Sequence, residues 1–168
     1  METQMPETFA GGLDAQTRAR MTDLLNANLA DTIALTLCVK EAHWNLKGPG
    51  FIGVHELLDE VADRLRESAD TIAERAVILG GLARGTLEAA ARASRVEPYP
   101  TDAVMVEQHL EALRDRFMSV GANLRSAISQ AADAGDDDTA DLFTEVSRQV
   151  DKDAWFIGAN LRPGDSVR

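Results

Sequence analysis

The chain has 168 residues, with 17 Lys and Arg against 28 Asp and Glu, for a formal charge of −11. That length suits a single domain, and that charge opposes any affinity for the phosphates of nucleic acid spread over the whole surface. One cysteine, Cys38, excludes an intrachain disulfide framework and a zinc site built on several thiolates. No run approaches the ~18 apolar residues of a membrane span. Met1–Gly12 lacks the basic and apolar regions of a signal peptide, so the expected setting is cytoplasmic, away from any membrane.

Residues 1–13 read as a flexible acidic tail. A first helix is expected over 14–46, opened by Asp14 and closed by Gly48-Pro49. Within it Ile33, Leu35, Leu37 and Val39 alternate like a strand. The run around them has no breaker, so the reading is a helix apolar on most sides. A second helix is expected over 53–80, ending at Gly80-Gly81, and a short one over 86–94. Val96 to Pro100 is extended, because a residue before proline is pushed out of the α region. A further helix is expected over 102–133, capped by Thr101, and a last one over 138–157, capped within Asp136-Asp137-Asp138. Residues 14–161 then form the domain and 162–168 a short tail. Four long helices with two short loops and one long crossover make an all-α bundle of ferritin-like topology.

The 53–80 helix carries two stripes. Leu58, Ala62, Leu65, Ala69, Ile72, Ala76 and Leu79 recur at heptad spacing and predict a core seam. His55, Asp59, Asp63, Arg66, Asp70 and Glu74 fall within an arc of roughly 100°, about a third of a turn from that seam. Such a stripe is ordinarily a solvated face. Three features point elsewhere. Imidazole and carboxylate together suit iron or zinc. His43, at the end of the preceding helix, lies just across a short loop from His55 and Asp59. The stripe is also symmetric in index: His55 with Glu74, Asp59 with Asp70, and Asp63 with Arg66 each sum to 129. Two copies of this helix packed antiparallel about a twofold axis near residues 64–65 would bring each pair together, as an isologous contact requires. Asp59 and Asp70 lie ~16 Å apart along one helix, whereas metal–ligand bonds are ~2.0–2.2 Å. One chain therefore cannot close both halves on one ion, and a dimer would hold two equivalent sites, with Asp63 and Arg66 as ion pairs across the axis. The residues three before His43, His55 and His109 are Lys40, Ile52 and Val106, so the Glu-x-x-His motif of an intrachain diiron centre is absent.

Lys40-Glu41-Ala42-His43-Trp44-Asn45, Phe51-Ile52, His55-Glu56-Leu57-Leu58-Asp59 and Asp70-Thr71-Ile72-Ala73-Glu74-Arg75 resemble the Dps family of ferritin-like mini-shells. So do Asp136–Asp141 and the run from Asp151-Lys152 to Trp155-Phe156-Ile157, and the resemblance covers roughly residues 20–161. It implies a hollow homododecamer built from twofold dimers. Its sites would be ferroxidase centres that oxidise Fe(II), preferably with hydrogen peroxide and otherwise with oxygen, and the shell would store ferric mineral. It further implies that His43 of one subunit joins Asp70 and Glu74 of its mate as iron ligands. His55 and Asp59 would sit beside them, holding a second iron or bound water, and Trp44 would donate an electron to an oxidant. Acidic residues around Asp136–Asp138 and Asp141 would line threefold pores. Members that bind DNA directly often use a lysine-rich N-terminal tail. Met1–Gly12 has no Lys or Arg, which argues against direct DNA binding and leaves nucleoid compaction as the alternative function. Among the remaining residues, His109 reads as a surface histidine between Glu107 and Glu111. Trp155 and Phe156 read as core or subunit contacts, and Cys38 as a buried small hydrophobe.

Overall fold

Asp14 starts the first long helix: its carboxylate accepts the Thr17 N–H at 2.8 Å in the computed structural model, which describes residues 7–161. The elements are α1 (Ala15–Asn45), α2 (Phe51–Ile78), α3 (Leu87–Ala93), α4 (Val106–Asp133) and α5 (Asp137–Gly158), with no strand among the described residues. α1 and α2 form one antiparallel pair, and α4 and α5 the other. The segment from Leu79 to Met105, with α3 inside it, returns the chain along the bundle, so the architecture is a ferritin-like four-helix bundle with a short extra helix. No described helix is long and apolar enough to cross a membrane. Residues 1–6 and 162–168 of the expected tails lie outside the described residues.

The predicted seam of α2 is the core stripe. Leu58, Ala62, Leu65, Ile72, Ala76 and Leu79 are fully buried and Ala69 is partly so. The strand-like alternation in α1 resolves as predicted, with Leu35 and Val39 buried and Leu37 at the surface. α1 tolerates apolar residues around most of its circumference because α2, α3 and α4 all pack on it. Facing residues from α4 and α5, including Phe117, Leu124, Phe143 and Val150, complete one continuous core. Each such large side chain contributes roughly 1.5–3 kcal/mol by burial.

Three differences from the expected boundaries have physical causes. α4 begins at Val106 rather than 102, and Thr101 does not cap it. Residues 104–106 pair instead with the α1–α2 loop: Lys47 N–H donates to Val104 at 2.9 Å and Val106 N–H to Lys47 at 2.9 Å. The Gln108 side chain then accepts the Met105 N–H at 2.9 Å, so Met105 is the helix's flanking residue. α2 begins at Phe51, earlier than the expected 53, because Gly50 turns the chain at φ 79°. Residues 8–13, expected within the flexible tail, lie against the far end of α2: Phe9 N–H donates to Ile78 at 2.9 Å, and Ala10 and Leu13 pack on the core.

Buried charges tie the elements together. Asp31 of α1 is fully buried and accepts five hydrogen bonds: Arg95 backbone N–H at 2.7 Å, Arg95 Nε at 3.0 Å, an Arg95 terminal nitrogen at 2.7 Å, Asn123 Nδ2 at 3.1 Å and, longest, Ser94 Oγ at 3.5 Å. It therefore pins the crossover between α1 and α4. Asp153 of α5, also fully buried, takes Arg64 of α2 at 2.7 Å, and Arg75 of α2 reaches buried Asp136 at 2.7 Å. Removing one member of such a set leaves donors unpaired in the interior. Asp31→Ala is expected to cost about 2–3 kcal/mol, tempered because the Arg95 guanidinium is half-exposed and reaches water. Its chemical denaturation midpoint should fall while that of Asp23→Ala, at an exposed position of the same helix, stays in place. Coincident unfolding curves for the two variants would reject the pin.

Candidate metal centre

The end of α1 and the start of α2 bring two imidazoles face to face. His43 and His55 stack with centroids 3.8 Å apart and planes 18° apart. His43 Nδ1 lies 2.8 Å from the His55 carbonyl, and His55 Nδ1 lies 2.9 Å from the His43 carbonyl. A carbonyl oxygen only accepts, so both Nδ1 atoms carry the proton. In the neutral rings this leaves both Nε2 atoms with a free lone pair, the state a metal ion requires. The His43 carbonyl belongs to the last turn of α1, whose acceptors lack helical partners, so the His55 ring caps α1 while α1 orients that ring. Phe51 leans on the His55 ring at 5.1 Å and narrows its freedom further.

Asp59 stands one turn beyond His55. Its Oδ1 lies 3.9 Å from His43 Nε2, a gap that two metal–ligand bonds of ~2.1 Å can span. The same oxygen accepts a 2.7 Å bond from Lys40 Nζ. That hydrogen bond holds the Asp59 carboxyl below the usual carboxylate range, against the opposing effect of desolvation and with help from the Lys40, His43 and Arg66 charges. Lys40 also lies 5.7 Å from the centre of the Trp44 ring. Sequence reasoning missed Lys40, although its place three residues before His43 sets it on the same face of α1.

The other two expected ligands lie elsewhere in the chain. Asp70 and Glu74 are exposed on the distal half of α2, ~16 Å and ~22 Å beyond Asp59 along the helix. Among the described residues, no group of three or more His, Cys, Asp or Glu side chains from one chain is placed to hold an ion. The structure thus brings His43, His55 and Asp59 to one end of the α1–α2 pair and leaves Asp70 and Glu74 exposed farther along α2. Asp63 and Arg66, expected to pair across a dimer axis, pair within the chain at 2.7 Å. They lie three apart on one helix, where such contact is local and available without a partner.

Several expected roles change. Trp44 is 66% exposed beside His43, and Trp155 is 67% exposed, which removes the core half of its expected role and leaves the subunit contact. Asp136 caps α5 through the Thr139 N–H at 3.1 Å and is enclosed by Arg75, so it does not face solvent as a pore residue would. Asp137, Asp138 and Asp141 do. His109 is only 1% exposed and belongs to the core face of α4, contrary to the surface reading. Cys38 is buried, as expected for a small hydrophobe, and burial pushes its thiol up.

A ferritin-like domain matches residues 22–166. The DNA protection during starvation protein of Agrobacterium fabrum is 45% identical over 150 residues, covering 89% of this chain and 93% of that one. Among solved structures, DpsA14 from Streptomyces coelicolor superposes with a TM-score of 0.90 at 31% identity, over 97% of this chain and 96% of that one. An archaeal Dps homologue from Halobacterium salinarum superposes with a TM-score of 0.87 at 26% identity, over 100% of this chain and 95% of that one. An uninterrupted bundle, its crossover helix and this breadth of similarity agree: the chain belongs to the Dps family of ferritin-like proteins.

Proposed function

We propose that the protein is a ferroxidase and iron store that assembles as a homododecamer of twofold dimers and consumes Fe(II) together with hydrogen peroxide, oxygen being the other oxidant. The observation that carries this reading is the His43–His55 pair: both Nδ1 protons are committed to backbone carbonyls, so both Nε2 lone pairs remain free, that of His43 beside the Asp59 carboxylate. In this reading His43 of one subunit holds Fe(II) with Asp70 and Glu74 of the partner subunit, while His55 and Asp59 hold a second iron or a water. Imidazole suits the ferrous substrate, and the anionic oxygens favour the ferric product. Lys40 keeps Asp59 ionised and oriented. Two Fe(II) supply the two electrons that reduce peroxide to water, so no hydroxyl radical is released. Acidic side chains at Asp137, Asp138 and Asp141 would guide Fe(II) into the shell, and Trp44 would act as a nearby electron donor.

The shared site makes a distinctive genetic prediction. Asp70→Ala, on the exposed face of α2, should abolish fast Fe(II) oxidation with the fold intact. His43→Ala should abolish it too, with far-ultraviolet circular dichroism checking that the bundle survives loss of the ring stacked on His55. A dimer of one His43→Ala chain and one Asp70→Ala chain loses both ligands at one site and keeps both at the other. It should therefore retain about half the activity if ligands are shared across chains. A within-chain site damages both centres, so no recovery on mixing, with subunit exchange verified, would reject the interface site.

Assembly is tested by size. Twelve copies of 18.2 kDa give a particle of about 218 kDa, and a stable monomer at neutral pH and moderate salt would sink the closed shell.

DNA affinity separates this reading from nucleoid compaction. Twelve copies carry a formal charge of about −132, and residues 1–12 offer no Lys or Arg. Duplex binding should be weak at ~0.15 M salt without Mg²⁺, and a tight complex under those conditions would favour the compaction role.

A further inference from the structure

The crossover places the only tyrosine of the chain against a buried histidine. Tyr99 Oη lies 2.6 Å from His109 Nδ1, and the two rings are nearly parallel at 17°. His109 Nε2 is buried and has no hydrogen-bond partner among the described residues. The phenol O–H is the stronger acid of the two neutral groups, so it donates to the Nδ1 lone pair. Arg116 closes the site. Its guanidinium lies 5.1 Å from the Tyr99 ring centre and donates to the Glu97 carbonyl at 3.0 Å and to the Pro98 carbonyl. Nothing in the iron chemistry proposed above uses these residues.

We propose that Tyr99 and His109 form a proton-coupled redox pair that stores one oxidising equivalent of peroxide when a site holds a single Fe(II). This rests on the ferroxidase reading, which supplies the oxidant. One Fe(II) reduces H₂O₂ to hydroxide plus a one-electron oxidant of hydroxyl-radical strength. Tyr99 gives that oxidant an electron, reducing it to a second hydroxide. Its phenolic proton passes to His109 Nδ1, leaving a neutral tyrosyl radical and an imidazolium. The next Fe(II) returns the electron and His109 returns the proton. The sum is two Fe(II) and one H₂O₂ giving two Fe(III) and two hydroxides, with the pair restored.

Three observations favour this use over a merely structural bond. The Arg116 cation opposes a tyrosine that loses an electron while keeping its proton, so electron and proton must leave together. Burial raises the Tyr99 phenol beyond its ordinary range and lowers His109. The resting pair is therefore a neutral phenol and a neutral imidazole, with a proton acceptor in place. The position is also apt. Cys38, Glu41 and Arg116 are the charged or titratable groups that act on Tyr99. Glu41, whose charge reaches Tyr99, stands two residues before His43 on α1, so one rigid helix joins the pair to the iron half-site.

The test mixes the intact protein with less than one Fe(II) per site, adds H₂O₂, freezes the sample and records its electron paramagnetic resonance. Fe(II) oxidation is followed optically in parallel. A tyrosyl radical is expected, and incorporation of ring-deuterated tyrosine should narrow its hyperfine pattern without altering the sequence. Tyr99→Phe, which keeps the ring under Arg116, should lose the signal and raise the yield of spin-trapped hydroxyl radical. A second arm oxidises the iron-free protein with a photogenerated ruthenium(III) complex: the same radical should form in the wild type and be lost in His109→Phe. Iron oxidation with no radical, or a radical unaffected by deuterated tyrosine and retained in Tyr99→Phe, overturns the pair. Failure to oxidise iron, with the photochemical arm intact, overturns the ferroxidase reading and leaves the Tyr99–His109 couple standing.

Discussion

Two imidazoles that each donate a proton to the other's backbone hold the functional end of this molecule together. The His43 and His55 rings meet across the loop between α1 and α2, and each Nδ1–H satisfies a carbonyl at a helix end. The arrangement fixes the angle between the helices, the tautomer of both rings and the direction of both free lone pairs. Lys40 extends it by tying α1 to Asp59 on α2. The loop itself is braced from the far side, where Lys47 pairs with residues 104–106 at the start of α4. Gly48 makes that approach feasible, because its φ of 114° suits glycine and a Cβ there would come within 2.9 Å of Met105. The site is thus built on rigid elements rather than on a free loop.

The same geometry limits what one chain can do. A half-site of this kind leaves an ion poorly enclosed: the next carboxylate of the stripe, Asp63, is paired with Arg66, and Asp70 lies about three turns away. A long helix cannot bend to bring Asp70 to Asp59, whereas a second helix running the other way meets both. The pairing of Asp63 with Arg66 inside one chain keeps the middle of the stripe neutral, which eases the approach of an identical face. Assembly and chemistry then become one property in the proposed account: the shell would close its metal sites in closing its dimers.

The helices, the core seam and the nearness of His43, His55 and Asp59 were legible because each depends on local periodicity or on a short loop. The 4-3 recurrence from Leu58 to Leu79 needs no knowledge of the partner that covers it, and the index symmetry of the polar stripe is a property of one helix. What escaped depends on residues distant in sequence. The start of α4 is set by hydrogen bonds to Lys47, nearly sixty residues earlier, which override the capping signal at Thr101. Asp31 lies among apolar neighbours with no local sign that Arg95 and Asn123 converge on it. His109 was misjudged for a different reason. Its acidic neighbours Glu107 and Glu111 suggested a surface, yet it continues the stripe of Val106, Leu110 and Leu113, and that periodicity was the better guide.

The central claim is that one iron is held by two chains. Crystals of the iron-loaded assembly, with anomalous differences recorded on both sides of the iron absorption edge, test it most directly. The account predicts a peak within bonding distance of His43 Nε2 from one subunit and of the Asp70 and Glu74 carboxylates from its mate. Two such peaks should appear per dimer, related by the twofold axis. Iron bound only by residues of a single chain, or at the dimer interface with His43 unligated, would contradict it.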